Sequence, residues 1–320
     1  MIIIEKDQMR IFLLGAGAMG SLFGARLRSI GLRPVLYGLD TINLQTIAER
    51  GLKVDELDGT QSVWDLDVCL SLEEEVTQPD VVVVVVKAYA TGPAVASILP
   101  LCHDQTVFVT VQNGMGNWDQ IAAHVPPERI VAGVTAQGAT RTGPGHIRHG
   151  GNGPTVFGSI GGEPSPVLHD LVRIFHRAGM DCEATDRVMD HIWAKLLVNV
   201  GINAVTALAG VANGWIAQCA PARDVAQEAV KEAMEVARAR GAQPAVDTVD
   251  RVMGVAQATA VNHSSMLQDV RGKNRTEVEA INGIICRWGR EADIPTPVNR
   301  VLTDLIQVLE YKNQSRGERG

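Results

Sequence analysis

A polar stripe runs along a stretch of the chain that is otherwise apolar. Lys195, Asn199 and Asn203 recur at every fourth position within residues 192–206, and Thr206 extends the series. In a helix, at about 100° per residue, each step of four drifts by only about 40°, so these side chains share one face. A buried lysine is costly unless it is paired or its pKa falls. The pattern favours a ligand cleft, and the alternative is a polar seam satisfied by a neighbouring helix.

A glycine-rich turn follows the first apolar segment, residues 10–14, and precedes a helical pattern. Gly15 allows a sharp turn off the strand, Gly17 allows a pyrophosphate to approach the backbone, and Gly20 allows close helix packing. The helix N-terminus adds free N–H groups and a partial positive charge. This order predicts a dinucleotide site, the alternative being a similar turn in an unrelated α/β domain. The predicted cofactor contacts are Gly15, Ala16, Gly17, Ala18, Met19 and Gly20.

Two polar residues follow predicted strands. Lys87 comes directly after the valine run 81–86, and Asn113 follows residues 107–111 in the sequence Gln-Asn-Gly-Met-Gly. In an open parallel sheet, ligands bind beyond the carboxyl ends of the strands. Glycines beside an asparagine also permit close backbone approach to a ligand. We therefore predict that both residues border a ligand, while a solvated lysine and an ordinary asparagine turn are the alternatives.

A polar segment at residues 264–277 lies between predicted helices. Ser264 could cap a helix, because serine side chains accept hydrogen bonds from the first turn. Glu277, after Thr276, could open the next helix, because carboxylates favour the helix N-terminus. From these residues alone, helix caps and ligand-binding side chains are equally compatible with the pattern.

The composition restricts the class of protein. A chain of 320 residues is long enough for two domains, and a net charge of −7 argues against a nucleic-acid partner. No apolar run reaches the length of a membrane span, and the first eight residues resemble an extension before Met9 and not a signal peptide. Five scattered cysteines are typical of reduced thiols in the cytoplasm. Neither they nor the pair His146 and His149 have the spacing of a metal site.

The elements that must position these residues alternate in the first half of the chain. Strands are predicted at 10–14, 34–37, 81–86 and 107–111, and helices at 21–30, 43–50 and 93–99. Such alternation predicts a parallel, doubly wound sheet. Residues 138–162, rich in Gly, His and Thr, are predicted to form short strands and turns that close the domain.

From residue 186 onward the pattern is almost entirely helical, and the tail 314–320 is predicted to fray. Helices are predicted at 186–209, 222–240, 246–261, 277–291 and 297–311. The predicted architecture is α/β, with a Rossmann-type dinucleotide-binding domain at 9–185. An all-helical substrate and catalytic domain is predicted to follow at 186–313.

These motifs together resemble the ketopantoate reductases, also called 2-dehydropantoate 2-reductases, over nearly the whole chain from Met9. The matching segments are 15–20, 86–88, 113–116, 193–199 with Asn203, 264–269, 276–277 and 281–283. The resemblance implies NAD(P)H-dependent reduction of ketopantoate to pantoate, a step of pantothenate biosynthesis. In that reaction a nicotinamide hydride attacks the C2 carbonyl of a 2-oxo acid, and a proton goes to the oxygen.

The resemblance also implies roles for individual side chains. The general acid of the family falls on Lys195, whose ammonium polarises the carbonyl and supplies the proton. The substrate-binding carboxylate falls on Glu277, and Asn199 and Asn203 match positions that bind the hydroxyl end of the substrate. Ser265 matches a serine that holds the substrate carboxylate.

On the cofactor side, Asn113 matches an asparagine near both nicotinamide and substrate, and Lys87 matches a cofactor-side lysine. The chain departs from the family just after the second strand, where an arginine usually holds the 2′-phosphate of NADPH. Residues 37–41 read Tyr-Gly-Leu-Asp-Thr. Asp40 follows Gly20 by twenty residues, where an acidic residue would bind the ribose hydroxyls of NAD. The resemblance implies NADP(H), whereas these residues favour NAD(H), and we expect a weaker NADPH preference than is usual for the family.

Three functions fit the sequence. The leading one is reduction of a 2-oxo acid, either ketopantoate or another branched 2-oxo acid. The second is a non-catalytic dinucleotide-sensing protein with the same fold, but Lys195 and Glu277 favour an enzyme because a sensor needs no proton donor. The third is that of another two-domain dehydrogenase with a helical second domain, acting on a hydroxy or amino acid. The expected partner is a small 2-oxo acid, and the sequence leaves the oligomeric state open, a homodimer being one option.

Overall fold

The computed structural model describes residues 9–73, 75, 77–160, 165 and 167–317. The expected extension before Met9 and the last three residues of the tail lie outside this range, as do Gly161 and Gly162. The chain divides into two compact units. The first contains the chain up to Gln112 together with Asn117–Val188, and the second contains Asn113–Gly116 and the chain from Met189 onward.

The first unit is built on one ten-stranded sheet. Its strands are β1 (Ile11–Leu14), β2 (Val35–Tyr37), β3 (Leu52–Asp55), β4 (Gln61–Trp64), β5 (Asp67–Cys69), β6 (Val81–Val84), β7 (Val107–Thr110), β8 (Ile130–Gly143), β9 (His146–Ser159) and β10 (Cys182–Ala184). Its helices are α1 (Ala18–Ser29), α2 (Thr41–Arg50), α3 (Thr91–Ile98), α4 (Asn117–Ala122) and α5 (Leu168–Arg177). The order across the sheet is β4-β3-β9-β8-β7-β6-β1-β2-β5, with β10 paired to β9.

The predicted fold class is confirmed, although the sheet is mixed. The strands from β8 through β5 in that order are mutually parallel, as predicted for a doubly wound sheet. Alternate residues of the central strands supply the core on opposite faces: Leu13 packs in one buried cluster, and Phe12 and Leu14 pack in another. Burial on both faces explains why β6 is a continuous run of valines.

The prediction of short strands and turns at 138–162 is wrong. This region contributes to two antiparallel strands of fourteen residues each, β8 and β9. The glycines that suggested turns instead permit close strand packing: a Cβ on Gly153 would lie 2.5 Å from the Cβ of Ala136, and one on Gly158 would lie 2.6 Å from the carbonyl oxygen of Thr185. A glycine inside a strand often marks such an approach of another backbone.

The second unit is helical. Its helices are α6 (Val188–Ala209), α7 (Trp215–Gln218), α8 (Ala220–Ala239), α9 (Thr248–Ala258), α10 (Ser265–Arg271), a π-helical turn (Glu279–Gly283), α11 (Ile284–Glu291) and α12 (Pro297–Gly317). α10 lies inside the polar segment 264–277, where no helix was predicted although Ser264 was considered as a helix cap. Helix α12 also continues through the first residues of the predicted frayed tail.

Helix α6 is the central element of this unit. A Cβ on Gly201 would lie 2.8 Å from side-chain carbons of Val230 and Val252, so α6 packs closely against α8 and α9. Its 22 residues meet the length and hydropathy expected of a membrane span, which corrects the expectation that no segment does. Since 61% of its most apolar window is buried inside the protein, α6 is a core helix by its packing.

Candidate active site and cofactor-binding turn

The glycine-rich turn has the form that a bound pyrophosphate needs. Gly15 has a φ of +126°, and its N–H donates to the carbonyl of Tyr37 at 2.8 Å, which ties the turn to the end of β2. A Cβ on Gly20 would lie 1.9 Å from the carbonyl oxygen of Gly15, so a side chain there would displace the turn. Gly17 directly precedes α1 and faces open space, where a Cβ would meet no atom within 4 Å. Its neighbourhood therefore fits a ligand that approaches the backbone at a helix N-terminus.

Asp40 lies at the start of α2, beside the turn. One carboxylate oxygen accepts a hydrogen bond from the backbone N–H of Asn43 at 3.0 Å. The other lies 2.5 Å from a guanidinium nitrogen of Arg141, on β8. Both contacts lower the pKa of the Asp40 carboxyl, the Asn43 hydrogen bond first, while burial opposes them. Asp40 is therefore an anion that is already paired, a feature that could not be read from residues 37–41.

Asn43 connects the turn to the β8–β9 hairpin. Its buried side chain donates to the carbonyl of Ala16 at 2.8 Å and accepts from the N–H of Gly145 at 2.8 Å. The carbonyl of Gly145 in turn accepts from the N–H of Lys53 at 2.9 Å. Asn43 was predicted only as the start of a helix. Its linking function could not be predicted, because the tertiary fold brings both hydrogen-bonding partners to it.

The predicted strand-end residues fall in different units. Lys87 is half-buried in the first unit and directly precedes a short 3₁₀ turn. Gln112 organises this end of the sheet, since its side-chain amide donates to the carbonyl of Val86 at 2.6 Å and to the hydroxyl of Thr91 at 2.8 Å. Gln112 is a structural contributor that the sequence analysis quoted without assigning it a role.

Asn113 is half-buried and belongs with Gly114 and Met115 to the second unit. The N–H of Met115 donates to the carbonyl of Ala280, in the π-helical turn, at 2.9 Å. Gly114 has a φ of +83°, and a Cβ there would lie 2.4 Å from the same oxygen. The glycine beside Asn113 thus serves a close backbone approach within the protein, and this packing fixes the position of the Asn113 backbone.

The polar stripe of α6 exists as predicted on a helix. Lys195 and Asn199 are half-buried, and Asn203 and Thr206 are buried. Although part of the Lys195 side chain remains exposed, desolvation of its ammonium lowers its pKa to about 8, and attraction to Glu277 opposes that shift. Glu277 itself is only 8% exposed. The pairing brings together two residues that lie 82 positions apart in the sequence, as an amine and a carboxylate in one poorly solvated region.

Ser264 and Ser265 have different environments. Ser264 is buried and caps α10, since its hydroxyl accepts from the N–H of Leu267 at 3.2 Å. The same hydroxyl lies 2.8 Å from that of Thr206, which links the start of α10 to the α6 stripe. The cap interpretation therefore holds for Ser264. Ser265, the first residue of α10, is exposed, and its predicted role in binding substrate stays a prediction.

A buried amide network holds α6 beside the π-helical turn. The side-chain amide of Asn282 donates to the carbonyl of Val200, on α6, at 3.3 Å and to the side chain of Asn299 at 3.0 Å. Asn299 donates to the carboxylate of Glu232 at 2.8 Å. Since Val200 adjoins Asn199 and the turn follows Glu277 closely in sequence, the network holds both elements that carry the candidate site. The sequence analysis noted Asn282 only through the family resemblance.

The other titratable side chains among the described residues form no metal-binding cluster. In the part of the chain that the structure describes, no three His, Cys, Asp or Glu residues are grouped as metal ligands, and the cysteines form no disulfide. His146 faces Asp55 at 3.0 Å, and His149 lies 2.9 Å from Arg26. Both histidines of the short-spaced pair thus contact protein side chains of the first unit.

A Rossmann-type unit with a glycine-rich turn, followed by a helical unit with a desolvated lysine, is the architecture of a dinucleotide-dependent oxidoreductase. The ketopantoate reductase PanE/ApbA family model matches residues 11–162, and its C-terminal counterpart matches residues 187–310. The chain therefore belongs to the ketopantoate reductase family.

Individual relatives agree with this assignment. The chain is 39% identical over 302 residues to a 2-dehydropantoate 2-reductase of Halobacterium salinarum, covering 94% of this chain and 99% of the relative. Identity to the Archaeoglobus fulgidus enzyme of the same name is 34%, covering 94% and 98%. Among solved structures, D-mandelate dehydrogenase with NADH and anilino(oxo)acetate is similar with a TM-score of 0.90 and 26% identity, over 96% of this chain and all of that one.

Proposed function

We propose that this protein reduces the C2 carbonyl of 2-dehydropantoate to give pantoate, as a cytoplasmic step of pantothenate biosynthesis. The names of its relatives support the substrate. The single structural observation that carries the proposal is Lys195, a lysine with a pKa lowered to about 8 on the polar face of a core helix and attracted by Glu277. A general acid works best when its pKa lies near the working pH.

A nicotinamide dinucleotide, NADP(H) by family resemblance or NAD(H), supplies the hydride when it is bound. Residues of the proposed domain 9–185 would hold it: Gly15, Ala16, Gly17, Ala18, Met19, Gly20, Asp40 and Lys87, with Asn113 near the nicotinamide. The open space at Gly17 and the missing side chains at Gly15 and Gly20 support this assignment. Backbone N–H groups of this turn would bind the pyrophosphate, and Asp40 would bind the adenosine ribose.

The proposed domain 186–313 positions the substrate. The ammonium of Lys195 donates a hydrogen bond to the keto oxygen and transfers a proton to it as the alkoxide develops, which leaves a neutral amine and an alcohol. The carboxylate of Glu277 favours the charged amine before the transfer. Asn199 and Asn203 bind the hydroxyl end of the substrate, Glu277 is the substrate-binding carboxylate, and Ser265 holds the carboxylate of the substrate. No metal ion is needed, because the ammonium itself polarises the carbonyl.

A second candidate is reduction of another 2-oxo acid. The similarity to D-mandelate dehydrogenase, whose structure holds anilino(oxo)acetate, favours this alternative because that ligand is a 2-oxo acid with an aryl substituent. In either case the proposed binding partner is a small 2-oxo acid substrate. We propose that the protein binds neither nucleic acid nor membranes. A homodimer is the proposed assembly, which sedimentation of the purified protein would test.

The deciding experiment follows nicotinamide absorbance with 2-dehydropantoate, phenylglyoxylate and 2-oxoisovalerate, each with NADPH and with NADH. We expect the highest kcat/KM with 2-dehydropantoate and a pantoate product identified by mass. Faster turnover of phenylglyoxylate would replace the proposed substrate with an aryl 2-oxo acid. Absence of turnover with every substrate, despite measurable cofactor binding, would support the sensing protein instead.

A further inference from the structure

The ion pair between Asp40 and Arg141 places a positive charge where the local sequence has none. No arginine or lysine occurs between Gly38 and Asn43. Arg141, 101 residues further along the chain, lies with its guanidinium 2.5 Å from the Asp40 carboxylate. The fold thus supplies from β8 a cation that the segment after β2 does not contain.

The position of this cation is fixed by the surrounding structure. The backbone N–H of Asn43 donates to the carboxylate of Asp40, the N-cap of α2, and the side-chain amide of Asn43 donates to the carbonyl of Ala16. The same side chain binds the N–H of Gly145, at the tip of the hairpin that carries Arg141. Asn43 therefore links the glycine-rich turn, the start of α2 and the hairpin. These hydrogen bonds hold Arg141, on the same hairpin, beside the turn.

Both members of the pair remain accessible to a ligand. The side chain of Asp40 is 44% exposed and that of Arg141 is 45% exposed. Asp40 uses one oxygen for the helix cap and the other for Arg141. Arg141 uses one terminal nitrogen for Asp40, its one hydrogen-bonding partner in the described part of the chain. A guanidinium has five N–H donors, and its geometry matches phosphate.

We propose that Arg141 determines cofactor choice: it neutralises Asp40 and binds the 2′-phosphate of NADP(H) with its remaining donors. The inference rests on the proposed use of a dinucleotide at the glycine-rich turn. Without Arg141, the Asp40 carboxylate would repel a 2′-phosphate; with it, the chain accepts NADPH although the usual arginine after β2 is absent. Asp40 and Arg141 thus form a composite ribose site, in which the aspartate alone would favour NADH.

The experiment measures dissociation constants for NADPH and NADH directly by nicotinamide fluorescence, without substrate. Arg141→Ala should weaken NADPH binding by about tenfold or more, since a charge-assisted contact is lost, and leave NADH affinity unchanged. Asp40→Asn should release Arg141 and raise the NADPH-to-NADH affinity ratio. Arg33→Ala is the matched control, because Arg33, which precedes β2, forms a comparable exposed ion pair with Asp67.

Adenosine 2′,5′-bisphosphate and 5′-AMP provide a second readout, since they differ only in the 2′-phosphate. Arg141→Ala should remove the preference for the bisphosphate, and that preference should fall with added salt in the wild type only. Melting temperatures establish that each variant is folded. If Arg141→Ala does not fold, Arg141→Gln replaces it, because glutamine is closer to arginine in size and carries no charge. Equal NADPH-to-NADH ratios in wild type and both Arg141 variants would overturn the inference. Failure of the wild type to bind either dinucleotide would instead overturn the proposed function.

Discussion

The glycine-rich turn of the first unit and the polar stripe of the second present chemistry in opposite ways. At the turn, the groups proposed to meet a ligand belong to the backbone: Gly15 and Gly20 allow the tight turn because a side chain at either would meet backbone atoms, and Gly17 faces open space. On α6, the groups are side chains, Lys195 foremost, whose properties come from desolvation and from Glu277. The proposed function of the turn requires that three positions have no side chain. The proposed function of the stripe requires the particular side chain at each of its positions.

This difference has consequences for mutation. At the turn, any side chain added to a glycine should impair binding through shape, whatever its chemistry. On the stripe, a substitution of similar shape should preserve the fold but remove a charge or hydrogen bond. Cofactor affinity and turnover should therefore respond separately to changes in the two regions.

The largest effect is expected at Lys195. Lys195→Ala should lower kcat by about 10²–10⁴-fold, the usual contribution of general acid catalysis, with cofactor affinity unchanged. The measurement is steady-state turnover combined with fluorescence titration of the cofactor. Lys231→Ala is the control, because Lys231 is an exposed lysine of the same unit paired with Glu228. Near wild-type turnover in Lys195→Ala would exclude it from the mechanism.

The next largest effect is expected at Gly17, in the glycine-rich turn. Gly17→Ala should weaken cofactor binding by roughly tenfold or more, because the new methyl group occupies the space proposed for the pyrophosphate. The melting temperature should not fall, since that methyl group meets no protein atom within 4 Å. Gly254→Ala, also in open space but on α9, should leave binding intact. Unchanged affinity in Gly17→Ala would place the pyrophosphate elsewhere.

Asn203 and Glu277 should affect the substrate selectively. Glu277→Gln should lower kcat/KM for the 2-oxo acid by roughly tenfold or more, since hydrogen bonds involving charged groups contribute about 1.5–3 kcal/mol. Asn203→Ala removes a neutral hydrogen bond, which contributes about 0.5–1.5 kcal/mol, and should lower kcat/KM by roughly two- to tenfold. Cofactor dissociation constants should stay at the wild-type value. If thermal melting shows both variants to be grossly destabilised, the two residues support the fold and the substrate assignment is lost.

The smallest effect concerns pH. Because Lys195 must be protonated to act as an acid and its pKa is lowered to about 8, kcat should be constant below that pH and fall as pH rises through it. Attraction to Glu277 raises this pKa, so Glu277→Gln should move the fall to lower pH. A pH profile of kcat for both proteins tests this. An identical profile in the variant would show that Glu277 does not act on the proton donor.

The parts of the site that could be predicted depend on local sequence. A strand, a glycine-rich turn and a helix are consecutive in the chain, so their order could be predicted from local sequence, and the structure contains β1, the turn and α1 in that order. The spacing of Lys195, Asn199 and Asn203 likewise requires only helical geometry. By contrast, the proximity of Lys195 to Glu277 was implied by family resemblance, since no local pattern joins residues so far apart.

The parts that could not be predicted are tertiary. Arg141 gains its position from the β8–β9 hairpin, which was itself wrongly predicted because glycines in a strand resemble those in turns. The hydrogen bonds of Asn282 and Asn299 join elements from different parts of the chain, and no spacing rule marks them. Ser264 illustrates an intermediate case, since a cap was foreseen as one option and the hydroxyl contact with Thr206 was not.

The hydrogen bonds of Asn43 have a final consequence for the thermodynamics of binding. Since one buried side chain joins Ala16 to Gly145, the turn and the hairpin lose their relative freedom when the protein folds. A ligand that contacts both regions therefore orders little backbone on arrival, and more of its contact energy is retained as affinity. Asn43 thus contributes to ligand affinity through conformational entropy, without itself needing to touch the ligand.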